Sequence, residues 1–336
     1  MEPIKEPTPL VLVTSSPHMH CGLTIGKSMR EVMLALVPAI IASVYYFRMS
    51  AAIVMVTCVV SAIVFETICN KVMHKPNTVQ DGSAALTGLL LAMCLPASMP
   101  PLFAAMGSMF AIVVGKAVFG GLGCNIFNPA HIGRAILLAS FPQQMTNWVL
   151  PATAAASDAV STATPLAVMP ATEKIWQAGG AASAAKLPDL MNLFWGNVGG
   201  SLGETCVPAL VLGGLYLIYK KLIDWRIPVF YLVTVAILTG VYGAVMGYPS
   251  TFPLYHLFAG GLMIGAFFMA TDWVTSPITK KGKIIYAIGL GVLTSLIRLR
   301  GSYTEGVCYS ILMMNMVTPM IDRFVRNVSF GGGLKK

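Results

Sequence analysis

The sequence predicts an all-α polytopic membrane protein with about ten transmembrane helices, some of them short or broken. Three observations carry that expectation. Hydrophobic residues make up 56% of the 336 and charged residues only 10%, against roughly 25% charged in a soluble domain. Apolar runs close to the length of about 20 residues that crosses a bilayer recur along the chain. The cations sit in short segments between those runs and favour alternate segments.

Taken in order, the clear runs cover residues 28–47, 51–70, 101–119, 205–219, 228–247, 254–270, 284–297 and 304–320. Two more, 82–95 and 129–141, are short and closed by Pro96 and Pro142. Short or Gly/Pro-interrupted segments are where membrane proteins tend to place binding sites. Residues 1–27 are mixed and contain prolines, without the short apolar stretch and small-residue cleavage site of a secretory signal. Run 28–47 therefore reads as a retained span.

If the N-terminus is cytoplasmic, 17 of the 22 Lys and Arg fall on the cytoplasmic side, Lys116 and Arg134 among them. The other five, Arg48, Lys174, Lys186, Arg298 and Arg300, fall outside. This bias fixes an orientation and assigns the net charge of +9 to topology rather than to nucleic acid. It divides the chain into a cytoplasmic segment 1–27, a first five-span half 28–142, an outer-face segment 143–203, a second five-span half 204–320 and a cytoplasmic tail 321–336. Two five-span halves on either side of an outer segment run in opposite senses, the arrangement of an inverted repeat.

The outer segment, rich in Ala, Ser, Thr and Pro, holds the stretch Ser157-Asp158-Ala159-Val160-Ser161-Thr162-Ala163-Thr164-Pro165-Leu166. Thr164 offers a hydroxyl nucleophile, Ala163 leaves room beside it, and Pro165 is expected to keep the chain out of a helix. Acids inside apolar runs are functional candidates because they are costly there. Glu31, Glu66, Asp81, Asp272 and Glu305 are the ion-path candidates on that ground. Helix capping and the helix dipole explain Asp81, Glu204 and Glu305 equally well.

Other chemistry is sparse. The seven cysteines, Cys21, Cys58, Cys69, Cys94, Cys124, Cys206 and Cys308, form no C-x-x-C pair, so neither zinc nor an iron–sulfur cluster held by this chain alone is signalled. Most read as small apolar residues within spans. His18 and His20 make only a weak metal signal. His131 reads as a loop or interfacial residue, and Trp148, Trp176 and Trp195 as outer-interface anchors. No G-x-G-x-x-G stands between a strand and a helix, so a dinucleotide fold is not expected here.

The stretch Asp158 to Thr164 resembles a flavinylation sequence, with Thr162 standing where Gly is common. Asn125-Ile126-Phe127-Asn128-Pro129-Ala130, Ser16-Pro17-His18-Met19-His20, Ala270-Thr271-Asp272-Trp273-Val274-Thr275-Ser276-Pro277 and Arg300-Gly301-Ser302-Tyr303-Thr304-Glu305-Gly306-Val307 resemble segments of one family. That family takes in RnfD of the Rnf electron-transport complexes and NqrB of the sodium-pumping NADH–quinone reductase. The resemblance runs from residue 16 to about 325 and implies a function. The chain would be a subunit of a prokaryotic cell-membrane complex that passes electrons between ferredoxin and NAD and moves Na⁺ or H⁺. FMN would be joined through its phosphate to Thr164 by a flavin transferase, with Asp158, Ser161, Thr162, Ala163 and Pro165 around it. Electrons would arrive from a flavin-bearing protein of the same complex, RnfG, on the outer side. A noncovalent riboflavin within the helices is also implied, its place not fixed by the sequence, and Asn128 is a further candidate for cofactor binding. Gly199 and Gly200, in the cluster 196–203, either let backbone approach the flavin ring or serve close helix packing. The rival expectation is a solute transporter or channel of inverted repeats with no redox cofactor. Composition and broken helices suit it equally.

Overall fold

The computed structural model describes residues 23–76, 78–151, 161–177, 187–301 and 305–326. The histidine pair at 18 and 20, Cys21, Asp158, Lys186 and residues 302–304 lie outside the described residues.

The chain opens on helix α1, Ile25–Val72, of 48 residues. Drawn straight it would be about 72 Å long. Yet Ile25 and Ser28 line the same cavity as Glu66, Cys69 and Asn70. The helix therefore folds back on itself, at Arg48, whose φ of 51° and ψ of −135° leave the helical region. Its two arms are the first two expected spans. Along the second arm Ile53, Val56, Val60, Val64 and Ile68 are exposed at spacings of three and four. Such a stripe of exposed apolar residues on one helix face suits hydrocarbon, not water.

A 3₁₀ turn, Val79–Asp81, leads into α2, Ser83–Met93, and Asp81 Oδ1 accepts the Ser83 amide at 2.7 Å. Helix α3, Pro101–Ile112, runs on into a π turn, Val113–Ala117. Helix α4, Pro129–Ser140, starts with Asn128 as its cap, accepting the Ala130 amide at 3.1 Å, and with proline in its first turn, where the missing N–H costs nothing. A short α5, Pro142–Met145, follows. Strand β1, Trp148–Val149, pairs antiparallel with β2, Ser161–Thr162, placing Trp148 opposite Thr162. Helices α6, Pro165–Gln177, and α7, Leu190–Trp195, complete the middle of the chain.

The C-terminal helices are α8, Val207–Tyr219; α9, Arg226–Met246; α10, Phe252–Phe258; α11, Leu262–Ile264, continuing into a π turn, Gly265–Met269; α12, Lys280–Arg300; and α13, Val307–Phe324. Helix α9 packs on α12, and α12 on α13, as the second arm of α1 packs on α3 and α3 on α4. The joints are tight. A Cβ on Gly213 of α8 would lie 2.1 Å from the Ala35 carbonyl oxygen of the first arm of α1. Ser108 of α3 donates to the Cys58 carbonyl at 3.0 Å, and the Tyr231 and Thr294 hydroxyls meet at 2.7 Å.

Among the described residues three helices are long and apolar enough to cross a membrane: Ile25–Val72, Arg226–Met246 and Lys280–Arg300. The pair Phe252–Phe258 and Leu262–Met269, bent by 63°, makes a fourth if taken as one broken span. The remaining apolar helices are shorter, so ten full-length spans are not what the helix lengths give. Run 254–270 is broken because the chain between α10 and α11 passes through Gly260 at a φ of 70°.

Candidate functional site

Two places in this fold gather chemistry, one at each end of the helical body. Tyr46, just before the Arg48 reversal, donates to the Trp195 carbonyl at 2.8 Å. The reversal end is therefore the end that carries α7 and the Thr164 segment.

Thr164 is buried and caps α6. Its carbonyl accepts the amides of Ala167 (2.9 Å) and Val168 (3.2 Å), and its Oγ1 also accepts the Ala167 amide at 3.2 Å. Thr is a favoured residue at this position because its oxygen satisfies a first-turn amide that has no helical partner. Pro165 does not keep the segment out of a helix, contrary to the expectation from sequence. It occupies the first helical position, where its fixed φ is preorganised for the helix. Ala163 is exposed, and Leu166, Val198, Leu193 and Ala259 form a small apolar cluster under the turn. Trp148 is buried rather than exposed as an interface anchor, on the strand that pairs with β2. Trp176 packs its ring on Tyr248 and Phe252, while Trp195 is exposed. In the glycine cluster, a Cβ on Gly200 would lie 2.5 Å from the Glu204 carboxylate. Glu204 also accepts from the Ser201 hydroxyl at 2.8 Å. The Gly200 contact is with a side chain of the same loop, neither a flavin nor a neighbouring helix.

At the other end lies a cavity of about 520 Å³. Its wall comes from both arms of α1, the starts of α2 and α4, the π turn after α3, and the stretch 268–274. Glu66, Asp81 and Asp272, three of the five ion-path candidates, line it. Glu66 and Lys116 form a buried ion pair at 2.8 Å, and Lys116 also donates to Ser83 at 2.5 Å. Thr78 donates to the same carboxylate oxygen of Glu66 at 2.8 Å, while the other, Oε2, has no partner. Asn125 Oδ1, also buried in the wall, has none either. Asn128 donates its side-chain amide to the Met269 carbonyl at 3.2 Å, a group in the second π turn. Its backbone amide faces Asn315 at 3.1 Å, and Asn315 in turn meets the Tyr286 hydroxyl at 2.9 Å.

The remaining acids lie elsewhere. Glu31 accepts from the Tyr216 hydroxyl and lies 4.0 Å from Lys220. Glu305 pairs with Arg134 of α4. Arg134 and Lys116 are thus not the loop cations that the cation pattern makes them. Both are buried with carboxylate partners. His131 too is inside the body, with both ring nitrogens buried and unpartnered, because α4 begins within the fold rather than at its edge. Outside the spans, Asp224 shows the opposing effects on a part-buried carboxyl. Burial pushes it up, but the Arg226 amide and the Lys283 ammonium at 3.3 Å hold it below its usual value.

These features define a class: a polytopic helical membrane protein whose broken helices meet at a buried, charged cavity, with a hydroxyl-bearing turn at the opposite end. The chain belongs to the NQR2, RnfD, RnfE family, whose model matches residues 12–331. It is 52% identical over 322 residues to the RnfD protein of the proton-translocating ferredoxin:NAD(+) oxidoreductase complex of Clostridium ljungdahlii, covering 95% of this chain and 96% of that one. It is 45% identical to the corresponding protein of the Na(+)-translocating ferredoxin:NAD(+) oxidoreductase complex of Acetobacterium woodii, covering 95% of each. The corresponding protein of an ion-translocating oxidoreductase complex of Stutzerimonas stutzeri is 38% identical over 92% of each chain. The chain is thus an RnfD-type component of an oxidoreductase complex.

Proposed function

We propose that this chain is the membrane flavoprotein subunit of an ion-translocating ferredoxin:NAD-type oxidoreductase. In this reading it relays electrons through FMN joined to Thr164 and contributes to coupled Na⁺ or H⁺ movement. The observation that carries the reading is the seat of Thr164. Its Oγ1 sits at the N-terminus of α6 and faces the first-turn amide of Ala167. A phosphoryl group on that oxygen is the kind of anion the dipole at a helix N-terminus stabilises. Forming the ester joins Oγ1 to phosphorus, releases the hydroxyl proton, and breaks the pyrophosphate bond of a flavin dinucleotide with loss of a mononucleotide. A flavin transferase is the partner for that step. The flavin when bound supplies the redox chemistry, and this chain supplies placement and electrostatics.

The cavity suits the second, noncovalent flavin that the family resemblance implies. Its volume of about 520 Å³ is in the range of small-molecule pockets, roughly 300–1,000 Å³. The unpartnered Asn125 Oδ1 is an acceptor for an imide N–H of such a ring, and Lys116 is a cation beside it. The names of the relatives, which cite both H⁺ and Na⁺, support membership of a multi-subunit complex. They support other proteins of that complex as partners; the flavin-bearing RnfG on the outer side is what the family resemblance implies. The packing of α1 on α3 recurs as that of α9 on α12, a pairing that two repeated halves share; their opposite sense rests on the cation bias.

Two measurements test this. The peptide containing Thr164, from cells with an active flavin transferase, is expected to carry the mass of an added FMN group. An unmodified peptide would overturn covalent attachment. Sidedness follows from the cation bias: with Thr164 outside, a cysteine replacing the exposed Lys174 reacts with an impermeant reagent from the outer face. The natural, exposed Cys124 reacts only from the cytoplasmic face. Labelling of both from one side would refute the orientation.

A further inference from the structure

Arg298 lies on α12, far in sequence from Thr164, and is buried. Each of its three guanidinium nitrogens donates to a backbone carbonyl. Nη1 donates to the His256 carbonyl, Nη2 to the Ala259 carbonyl at 3.2 Å, and Nε to the Glu305 carbonyl at 2.9 Å. The first two are carbonyls at the C-terminal end of α10, where the bent span breaks, and the third belongs to the link into α13. One side chain thus ties together two interruptions of the helical body. A planar fork of fixed donors is suited to this, and a lysine ammonium is not.

The break that Arg298 holds is the seat of the Thr164 turn. Gly260, next after Ala259, has a φ of 70°. A Cβ there would lie 2.7 Å from Leu166 Cδ1 and 2.9 Å from Arg298 Nη2. Leu166, the second residue after Thr164, and Arg298 therefore meet over the same bare backbone. Leu166 also packs with Ala259, and farther along α6 Met169 packs with Tyr248 and Phe252. The α6 helix that presents the Thr164 hydroxyl is docked along α10, with its N-terminal turn on the clamped break.

We infer that Arg298 is a positioning residue for flavin attachment: by clamping the α10–α11 break it sets the place of Leu166, and through Leu166 the place of the Thr164 hydroxyl. This rests on Thr164 as the attachment site, and it is separable from that reading by experiment.

The full chain is made in cells with an active flavin transferase, and flavin fluorescence per polypeptide is measured on the folded, monodisperse fraction. Arg298→Lys keeps the charge but loses the three-carbonyl fork. Gly260→Ala keeps the Arg298 side chain and the flavin motif in the sequence, but its Cβ presses on both Leu166 and the Arg298 fork and strains the backbone. Misplacing a reacting group by about 1 Å can cost a factor on the order of a hundred. Both variants are therefore expected to lose about tenfold or more in flavin per folded polypeptide. Arg300→Gln, an exposed change on the same helix, is expected to keep the wild-type ratio. A purely structural role for Arg298 would lower the folded yield and leave the ratio unchanged. If Arg298→Lys fails to fold, Gly260→Ala decides. A wild-type ratio in folded Gly260→Ala overturns the inference while Thr164 attachment stands. A dark wild-type band overturns both.

Discussion

A Thr164→Ala variant is expected to fold and assemble but to run dark on a denaturing gel where the wild type fluoresces. Thr164→Ser is expected to keep a substantial part of the signal. The change to Ala removes little else. Thr164 contributes one capping bond, Oγ1 to the Ala167 amide at 3.2 Å. Losing a cap of this kind typically costs about 1 kcal/mol. Pro165 still starts the helix, and Leu166 still fills its cluster. The loss of flavin is therefore chemical, through the missing nucleophile, and is all or none. Ser keeps an oxygen at the same place and the same capping preference. The alternative hydroxyls, Ser161 and Thr162, belong to β2, paired with Val149 and Trp148, and not to the helix cap. Wild-type fluorescence in Thr164→Ala would move attachment to one of these and remove the α6 N-terminus from the argument.

The apolar runs foretell where helices lie with fair accuracy: 82–95 contains Ser83–Met93, and 129–141 contains Pro129–Ser140. Run periodicity reports only that a segment is apolar and helical. It does not report the π turns at Val113–Ala117 and Gly265–Met269, which depend on how a helix end meets its neighbours. Lys116 sits in the first of these and so turns toward Glu66. In the sequence it looks like one more cation at a cytoplasmic span end. Arg134 misleads for a related reason. The cation pattern assumes that a short apolar run ends at the surface, whereas Asn128 starts α4 inside the fold, against Met269 and Asn315. Thr164 stands out in the sequence because the motif that proposes it is local, a hydroxyl within a few residues of an Asp. The cavity does not, because its wall is assembled from segments as far apart as Ile25 and Val274. Arg298 reads as an outer cation, and nothing local to it announces three carbonyl partners.

Lys116→Met is expected to be the most destabilising single change in the cavity wall. The ammonium lies 2.8 Å from Glu66 and 2.5 Å from Ser83, and both members of the ion pair are buried. Without it Glu66 keeps one hydrogen bond, from Thr78, and an oxygen that already lacks a partner. Removing one member of a buried pair costs about 3–5 kcal/mol, because the charge left behind is uncompensated. At a few degrees per kcal/mol for a chain of this size, that is a fall in melting temperature on the order of 10 °C. Combining Lys116→Met with Glu66→Leu removes both charges and is expected to recover most of the loss, since an apolar replacement of a buried pair is often neutral. An unchanged melting temperature in the single variant would show that the pair is solvated in the working protein. The double variant also separates stability from transport. If Glu66 is a step on the ion path, the complex carrying the double change folds but moves fewer ions per electron passed than the wild type. If uptake returns together with stability, the carboxylate serves the fold alone, and Asp81 and Asp272, which share its cavity, are the next acids to replace.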